Sequence, residues 1–442
     1  MKHLLTIILA LLALAADAAD ALTFDGAQAT SIGIYIKGLR TDSVLCESYA
    51  DLGLTPASVM KALTTASVLS THGADTTFTT SVYLDGSRRG DTWHGNLVID
   101  AVNDPTLESC NFKSRLGFCD SIAAHLKAMG ITAIDGAVAV KEKLTDAGPN
   151  MKWECEDIPW PYGTGLHGLN WRDNFVKVTP ATRRISPEAP GLELSVVKSR
   201  TNDIVRGVCS NRLIVYTRDP ADKKYSINVS VPDPAAVFKA ELTATLKRSG
   251  ISVGKKKLPT TDDHAPVYSQ QSPAWGEIMK SLMVRSDNLF AEGMLRTLAP
   301  DDSRKAAISY ECELWTSRGI DTRYATIFDG SGLTRANRLS ARFLGSILEW
   351  MARSDYAATY AGFFPRAGRD GTLRNFLPKS PLTGQIALKT GSVSGVQTYA
   401  GYKLDDNGRP THVIVVLVNG FFCPRKEVRE ATETLLNSIF LP

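Results

Sequence analysis

Ser58-Val59-Met60-Lys61 sets a hydroxyl and an amine three residues apart. On a helix that spacing puts both on one face, where the amine can take the hydroxyl proton and leave an oxygen nucleophile. Two later motifs add what an acyl transfer still needs. Ser286-Asp287-Asn288 offers a second hydroxyl and a side-chain amide, and Lys389-Thr390-Gly391-Ser392 offers a cation, two hydroxyls and backbone N–H groups. A strand edge carrying the latter set would meet a substrate carboxylate and carbonyl.

The elements that must hold these residues separate them from look-alikes. Thr55 is placed to cap a helix, Pro56 suits its first position, and the apolar-rich run from Val59 to Leu69 follows without a breaker. Ser58 then lies in the first turn, where its N–H has no intrahelical acceptor and the helix dipole favours negative charge, which makes half of an oxyanion hole. Ser195-Val196-Val197-Lys198 fits the same spacing, and Ser226-Ile227-Asn228 fits Ser-x-Asn. The first of these sits in a β-branched, partly alternating run, and in a strand residues three apart point to opposite faces. Ile386 to Val393 reads as an apolar strand ending in small and hydroxylated residues, with Gly391 leaving room for a substrate backbone.

Beyond the three motifs, Thr55-Pro56-Ala57-Ser58, Asp104-Pro105-Thr106-Leu107, Gly163 to Asn174, Asp329-Gly330-Ser331-Gly332-Leu333-Thr334-Arg335 and Asp370-Gly371-Thr372-Leu373 carry a wider likeness. With them the chain resembles the penicillin-binding D-alanyl-D-alanine carboxypeptidases and endopeptidases of low-molecular-mass class C, peptidase family S13, over most of its mature length. The resemblance implies a β-lactamase and transpeptidase-like fold and peptidoglycan stem peptides or cross-links as substrate, with β-lactams as covalent inhibitors. It further implies that Ser58 attacks the penultimate D-Ala carbonyl. Lys61, held neutral by desolvation and neighbouring positive charge, would be the base. Ser286 would relay a proton to the leaving amine, and Asn288 would bond Lys61 or the substrate amide. Lys389, Thr390, Gly391 and Ser392 would hold the terminal carboxylate, with the N–H groups of Ser58 and Ser392 as the oxyanion hole. Asp157 and Arg335 match positions that bind the free end of a diamino acid side chain. Asp287 is read as structural. No cofactor and no metal is implied.

The fold class expected is α+β. More than two hundred residues separate Lys61 from Ser286, far more than a compact helical subdomain needs. The expected organisation is a signal peptide over 1–21, a catalytic domain over 22–75 and 265–442, an inserted α+β domain over 76–175 and 232–264, and a small nested β domain over 176–231. Within the insert, Ala123 to Met129 and Pro234 to Ser249 read as helices that end at Gly130 and Gly250, each with an Ile-led strand behind it. Near the C-terminus, Thr398 to Leu404 and His412 to Asn419 pair around Asp405-Asp406-Asn407-Gly408, and Glu427 to Phe440 is a helix.

Fifty basic and 46 acidic residues leave a formal charge of +4 in 442 residues, which gives no field that argues for nucleic acid. Lys2 and His3 precede an apolar run from Leu4 to Leu14 and two Ala-x-Ala patterns, at Ala16-Asp17-Ala18 and Ala19-Asp20-Ala21. That pattern reads as a secretory signal, too short for a membrane span, and by resemblance it directs the protein to a bacterial periplasm. Of seven cysteines, Cys110 and Cys119 are the expected bridge, against all seven being small buried hydrophobes.

Three rival readings fit less well. A β-lactamase-like hydrolase of class A needs a Glu to activate water, and Glu433 to Asn437, which has the Glu-x-x-Leu-Asn pattern, follows Lys389 on the terminal helix. Gly250-Ile251-Ser252-Val253-Gly254 does not open a helix as a nucleophile elbow requires, and no two His have zinc-helix spacing. A noncatalytic peptidoglycan- or β-lactam-binding protein, the balance of carboxypeptidase and endopeptidase action, and homo-oligomer formation are left open by the sequence.

Overall fold

The computed structural model describes residues 22–208, 210–259, 265–301 and 303–441. The expected signal peptide and Cys209 lie outside them. The described residues divide into two compact units: those within 22–72, 279–287 and 308–441 form the first, and those within 73–278 and 288–307 the second.

The first unit is built on a five-stranded antiparallel sheet. Its order is Ile386–Val393, Val396–Leu404, Pro410–Asn419, Ser31–Gly38 and Val44–Ser48. Alternation gives each strand two faces. On one face Ile34, Leu388, Tyr399 and Val416 pack with Val428, Leu435 and Leu436 of the C-terminal helix Arg425–Phe440. Ala387, Lys389, Tyr402 and Val415 fall on the alternate positions and are likewise buried. The helices Met60–His72 and Ala341–Arg353 contact the sheet. Tyr402 donates to the Leu348 carbonyl at 2.8 Å and Tyr360 to the Ala62 carbonyl at 2.6 Å, so both buried phenols are satisfied. Each fully buried Leu or Val here is worth roughly 1.5–3 kcal/mol over exposure. This unit has the α+β architecture expected.

The second unit holds a six-stranded mixed sheet around the hairpin Thr79–Arg89 and Thr92–Asp100. Helices Phe118–Ala128 and Pro234–Arg248 end before Gly130 and Gly250, and short parallel strands Ala133–Ile134, Val138–Lys141 and Ser252–Val253 follow them. Asp233 caps the second helix by accepting from Ala236 N at 2.9 Å. Residues 175–230 supply two three-stranded sheets, and Val176, Leu213, Val215 and Val229 share one core with Phe118, Trp171 and Phe238. Ser195 lies in the strand Glu193–Lys198, and Ser226 directly precedes the strand Ile227–Ser230 that holds Asn228, so neither look-alike serine lies on a helix.

Two expectations are corrected. Cys119 is a free thiol buried in the core at the second position of its helix, whereas Cys110 is exposed on the preceding turn, so the two form no bridge. Thr55 does not cap the Ser58 helix. The cap is Pro56, without a side-chain bond, and the Thr55 backbone is clamped by Asn419 while its hydroxyl meets the Arg335 carbonyl and the Arg338 guanidinium.

Candidate active site

The chain enters the Ser58 helix through a 3₁₀ turn, Ala57–Val59, that runs straight into Met60–His72. Ala57 has φ 47°, a left-handed conformation that a residue with a Cβ rarely adopts, so the turn aiming Ser58 is strained. The strain is held by neighbours. Gly332, at φ 76°, packs so closely that a Cβ there would overlap the Ala57 carbonyl. Thr398 donates to the Pro56 carbonyl at 2.7 Å.

Lys61 is fully buried, and its Nζ lies 2.9 Å from Ser58 Oγ and donates to the Ser331 carbonyl at 2.6 Å. Ser331 belongs to a loop fixed by the buried carboxylate of Asp329, which accepts from Gly332 N, Thr334 N and Asn337 Nδ2 at 2.7–2.9 Å. The amine is therefore aimed by a carbonyl as well as by the helix. The sequence marked this loop as a signature but gave it no role, because a main-chain acceptor leaves no side-chain trace.

A second lysine–serine pair faces the same cavity. Alternation along Ile386–Val393 buries Lys389 completely, and its Nζ donates to Ser286 Oγ at 3.0 Å and to the Thr390 carbonyl at 2.6 Å. Burial, with the Lys61 charge second, holds the Lys389 amine well below its usual range. Ser286 sits at φ 62°, a second strained position in the site. Gly391 is also needed for packing within the protein itself. A Cβ there would collide with the Thr398 hydroxyl and lie 2.9 Å from Ser58 N, so it is the protein's own nucleophile turn that approaches closely. Thr390 donates to the Thr372 hydroxyl at 2.8 Å, which brings the Asp370-Gly371-Thr372 loop to the site, and Ser392 donates to Gln397 at 2.7 Å.

Ser58, Ser286, Thr390 and Ser392 line a cavity of about 510 Å³, within the range that encloses a small ligand. Seven expected residues are thus assembled in the first unit: Ser58, Lys61, Ser286, Lys389, Thr390, Gly391 and Ser392. Arg335 also belongs to it and donates to the Ser394 carbonyl at 3.0 Å. Asn288 and Asp157 belong to the second unit, since the chain changes unit between Asp287 and Asn288. There Tyr162 links them: its carbonyl accepts from Asn288 Nδ2 at 2.8 Å, and its hydroxyl donates to Asp157 at 3.0 Å. Tyr162 was missed by sequence reasoning; its signal was the aromatic cluster Trp160-Pro161-Tyr162 beside Asp157. Glu433 does not line the cavity but stands 3.6 Å from Arg429 on the terminal helix.

The arrangement supports proton transfer from a serine hydroxyl to a buried amine, with a second serine–amine pair for the return proton. Known proteins resemble this chain over most of its length. D-alanyl-D-alanine carboxypeptidase DacB of Haemophilus influenzae is 23% identical over 431 residues, 89% of this chain and 86% of that protein. The crystal structure of penicillin binding protein 4 (dacB) from the same organism covers 96% of this chain and 98% of its own at TM-score 0.80 and 22% identity. A predatory peptidoglycan endopeptidase from Bdellovibrio bacteriovorus covers 93% and 92% at TM-score 0.52 and 14% identity. These likenesses give a β-lactamase and transpeptidase-like fold. Residues 14–437 match the D-Ala-D-Ala carboxypeptidase 3 (S13) family, and the chain belongs to it.

Proposed function

We propose that this chain is a serine hydrolase that cleaves after the penultimate D-Ala of peptidoglycan stem peptides or cross-links, through an acyl-enzyme on Ser58. The observation that carries the reading is the Lys61 amine 2.9 Å from Ser58 Oγ, in a site with the Lys389–Ser286 pair. Two ammonium groups facing one small site disfavour double protonation, so one amine is available as base. The substrate carboxylate held beside Lys389 draws the shared proton to that amine and leaves Lys61 neutral; Ser58 then gives its proton to Nζ as Oγ bonds to the carbonyl carbon, and the N–H groups of Ser58 and Ser392 receive the oxyanion. The C–N bond then breaks, and the leaving amine takes a proton through Ser286 from the lysine pair. Water adds to the ester and returns the hydroxyl to Ser58. Lys389, Thr390, Gly391 and Ser392 accept the terminal carboxylate of the leaving residue, while Asn288 positions the substrate amide. Asp157 and Arg335 are the groups assigned to the diamino acid side chain.

Members of this family carry the name of this activity, and the relatives above are named as a carboxypeptidase, a penicillin binding protein and a peptidoglycan endopeptidase. The N-terminal pattern assigns the protein to the periplasm after removal of residues 1–21. Among the described residues no helix is long and apolar enough to cross a membrane. The test is product analysis after incubation with purified monomeric and cross-linked muropeptides. Release of D-Ala or opening of cross-links by the wild type, falling at least 10³-fold in Lys61→Ala, is expected; unchanged turnover in Lys61→Ala would remove that residue as base.

A further inference from the structure

The cavity that holds Ser58 continues past Thr390 and Ser392 to the first turns of the C-terminal helix, where Arg425, Lys426 and Arg429 form its wall. No Asp or Glu lines the cavity among the described residues. The acids nearest these cations stand behind them on the same helix. Lys426 pairs with Glu430 at 3.5 Å, with Lys426 70% exposed, and Arg429 pairs with Glu433 at 3.6 Å. The exposed Lys426–Glu430 pair holds little energy, so Lys426 can turn to a ligand, whereas the Arg429–Glu433 pair is partly buried and fixes Arg429 in the cavity wall. Arg429 Nε is buried without a hydrogen-bond partner. Arg425 differs from the other two, since it donates to the Val393 carbonyl at 3.0 Å and braces the strand end.

The proposed reaction places one carboxylate, that of the leaving residue, on Lys389, Thr390, Gly391 and Ser392. Lys426 and Arg429 lie beyond those groups in the same wall, two cations more than that single charge requires. We infer that the Lys426 and Arg429 face is a leaving-group subsite for a second carboxylate, and that the preferred substrates release an amine whose own chain is acidic, as a dicarboxylic residue or a peptide with a free terminus would be. This rests on the reading of Ser58 as an acylated nucleophile.

The experiment compares three N-acylated peptides that end in D-Ala-D-Ala, D-Ala-D-Glu and D-Ala-D-Gln, the last two matched in size and differing in charge. The wild type should hydrolyse the D-Glu peptide about tenfold faster in kcat/KM than the D-Gln peptide at low salt, and the ratio should shrink as salt screens the exposed lysine. In the Lys426→Gln/Arg429→Gln double variant the ratio should approach one. A wild-type ratio near one overturns the subsite. An equal fall for all three peptides in the double variant also overturns it, because the cations would then be serving the carboxylate every substrate carries. Benzylpenicillin adduct on the double variant checks that its site is folded, and if it is not, the wild-type ratio and its salt dependence decide alone. No adduct and no hydrolysis by the wild type would remove the underlying function; turnover of the D-Glu and D-Gln peptides at equal rates removes only the subsite.

Discussion

At the scale of single residues, burial sets proton affinities in opposite directions. Asp104 is buried in the second unit and its carboxyl is pushed up to about 6, although the Thr106 N–H and hydroxyl bond it at 2.8 and 2.7 Å. The folded protein holds that proton between about pH 4 and 6, where the unfolded chain has lost it. Asp104 thus contributes stability fully below its unfolded value and loses it as pH rises through 6. His167 is lowered to about 4, mainly by burial, and its buried Nε2 has no hydrogen-bond partner, so a charged ring would carry an unmatched N–H. Its contribution is full above 6.5 and is lost as pH falls through 4. Each is worth about 3 kcal/mol by linkage, and between pH 4 and 6 the two oppose each other. Urea unfolding at pH 4, 5 and 6 checks this. Relative to wild type, His167→Gln should gain stability as the solution is acidified and Asp104→Asn should lose it; parallel curves for all three proteins would contradict both assignments.

At the scale of elements, the nucleophile is aimed by contacts between loops rather than by its helix alone. Gly332 adopts φ 76° and leaves no space for a Cβ against the Ala57 carbonyl. Gly332→Ala combines a disfavoured backbone with an overlap, and the cheapest relief is movement of the Ala57–Val59 turn. A displacement of about 1 Å at a reacting group costs on the order of 10²-fold in rate. The second-order rate of acylation by benzylpenicillin should fall by about that factor while circular dichroism is unchanged; a rate within twofold of wild type would show that the contact does not position Ser58. The helix and strand carrying Ser58 and Lys389 were legible in the sequence because the unbroken apolar run after Pro56, the alternation and the motif spacing are local. The loop contacts were not, since the Ser331 carbonyl acceptor and the left-handed Ala57 and Ser286 depend on tertiary packing that no spacing records. The Cys110–Cys119 bridge failed for a similar reason: short spacing permits a loop, but the helix begun at Phe118 turns Cys119 into the core.

At the scale of the whole molecule, the site is drawn from distant parts of the chain. Ser58 and Lys61 come from the first seventy residues, Ser286 from a short return of the chain into the first unit, and Lys389 from its last strands. The α+β class and the long interruption between Lys61 and Ser286 were legible from element order. The point where the chain changes unit, inside the Ser286-Asp287-Asn288 triplet, was not, because three consecutive residues carry no composition shift. Acylation of Ser58 therefore reports on correct assembly of the first unit as well as on one hydroxyl. The most direct test is intact mass spectrometry of the wild type and Ser58→Ala after incubation with benzylpenicillin. The account predicts a single covalent adduct on the wild type and none on Ser58→Ala; a folded wild type without adduct, or an adduct that survives in Ser58→Ala, would contradict it.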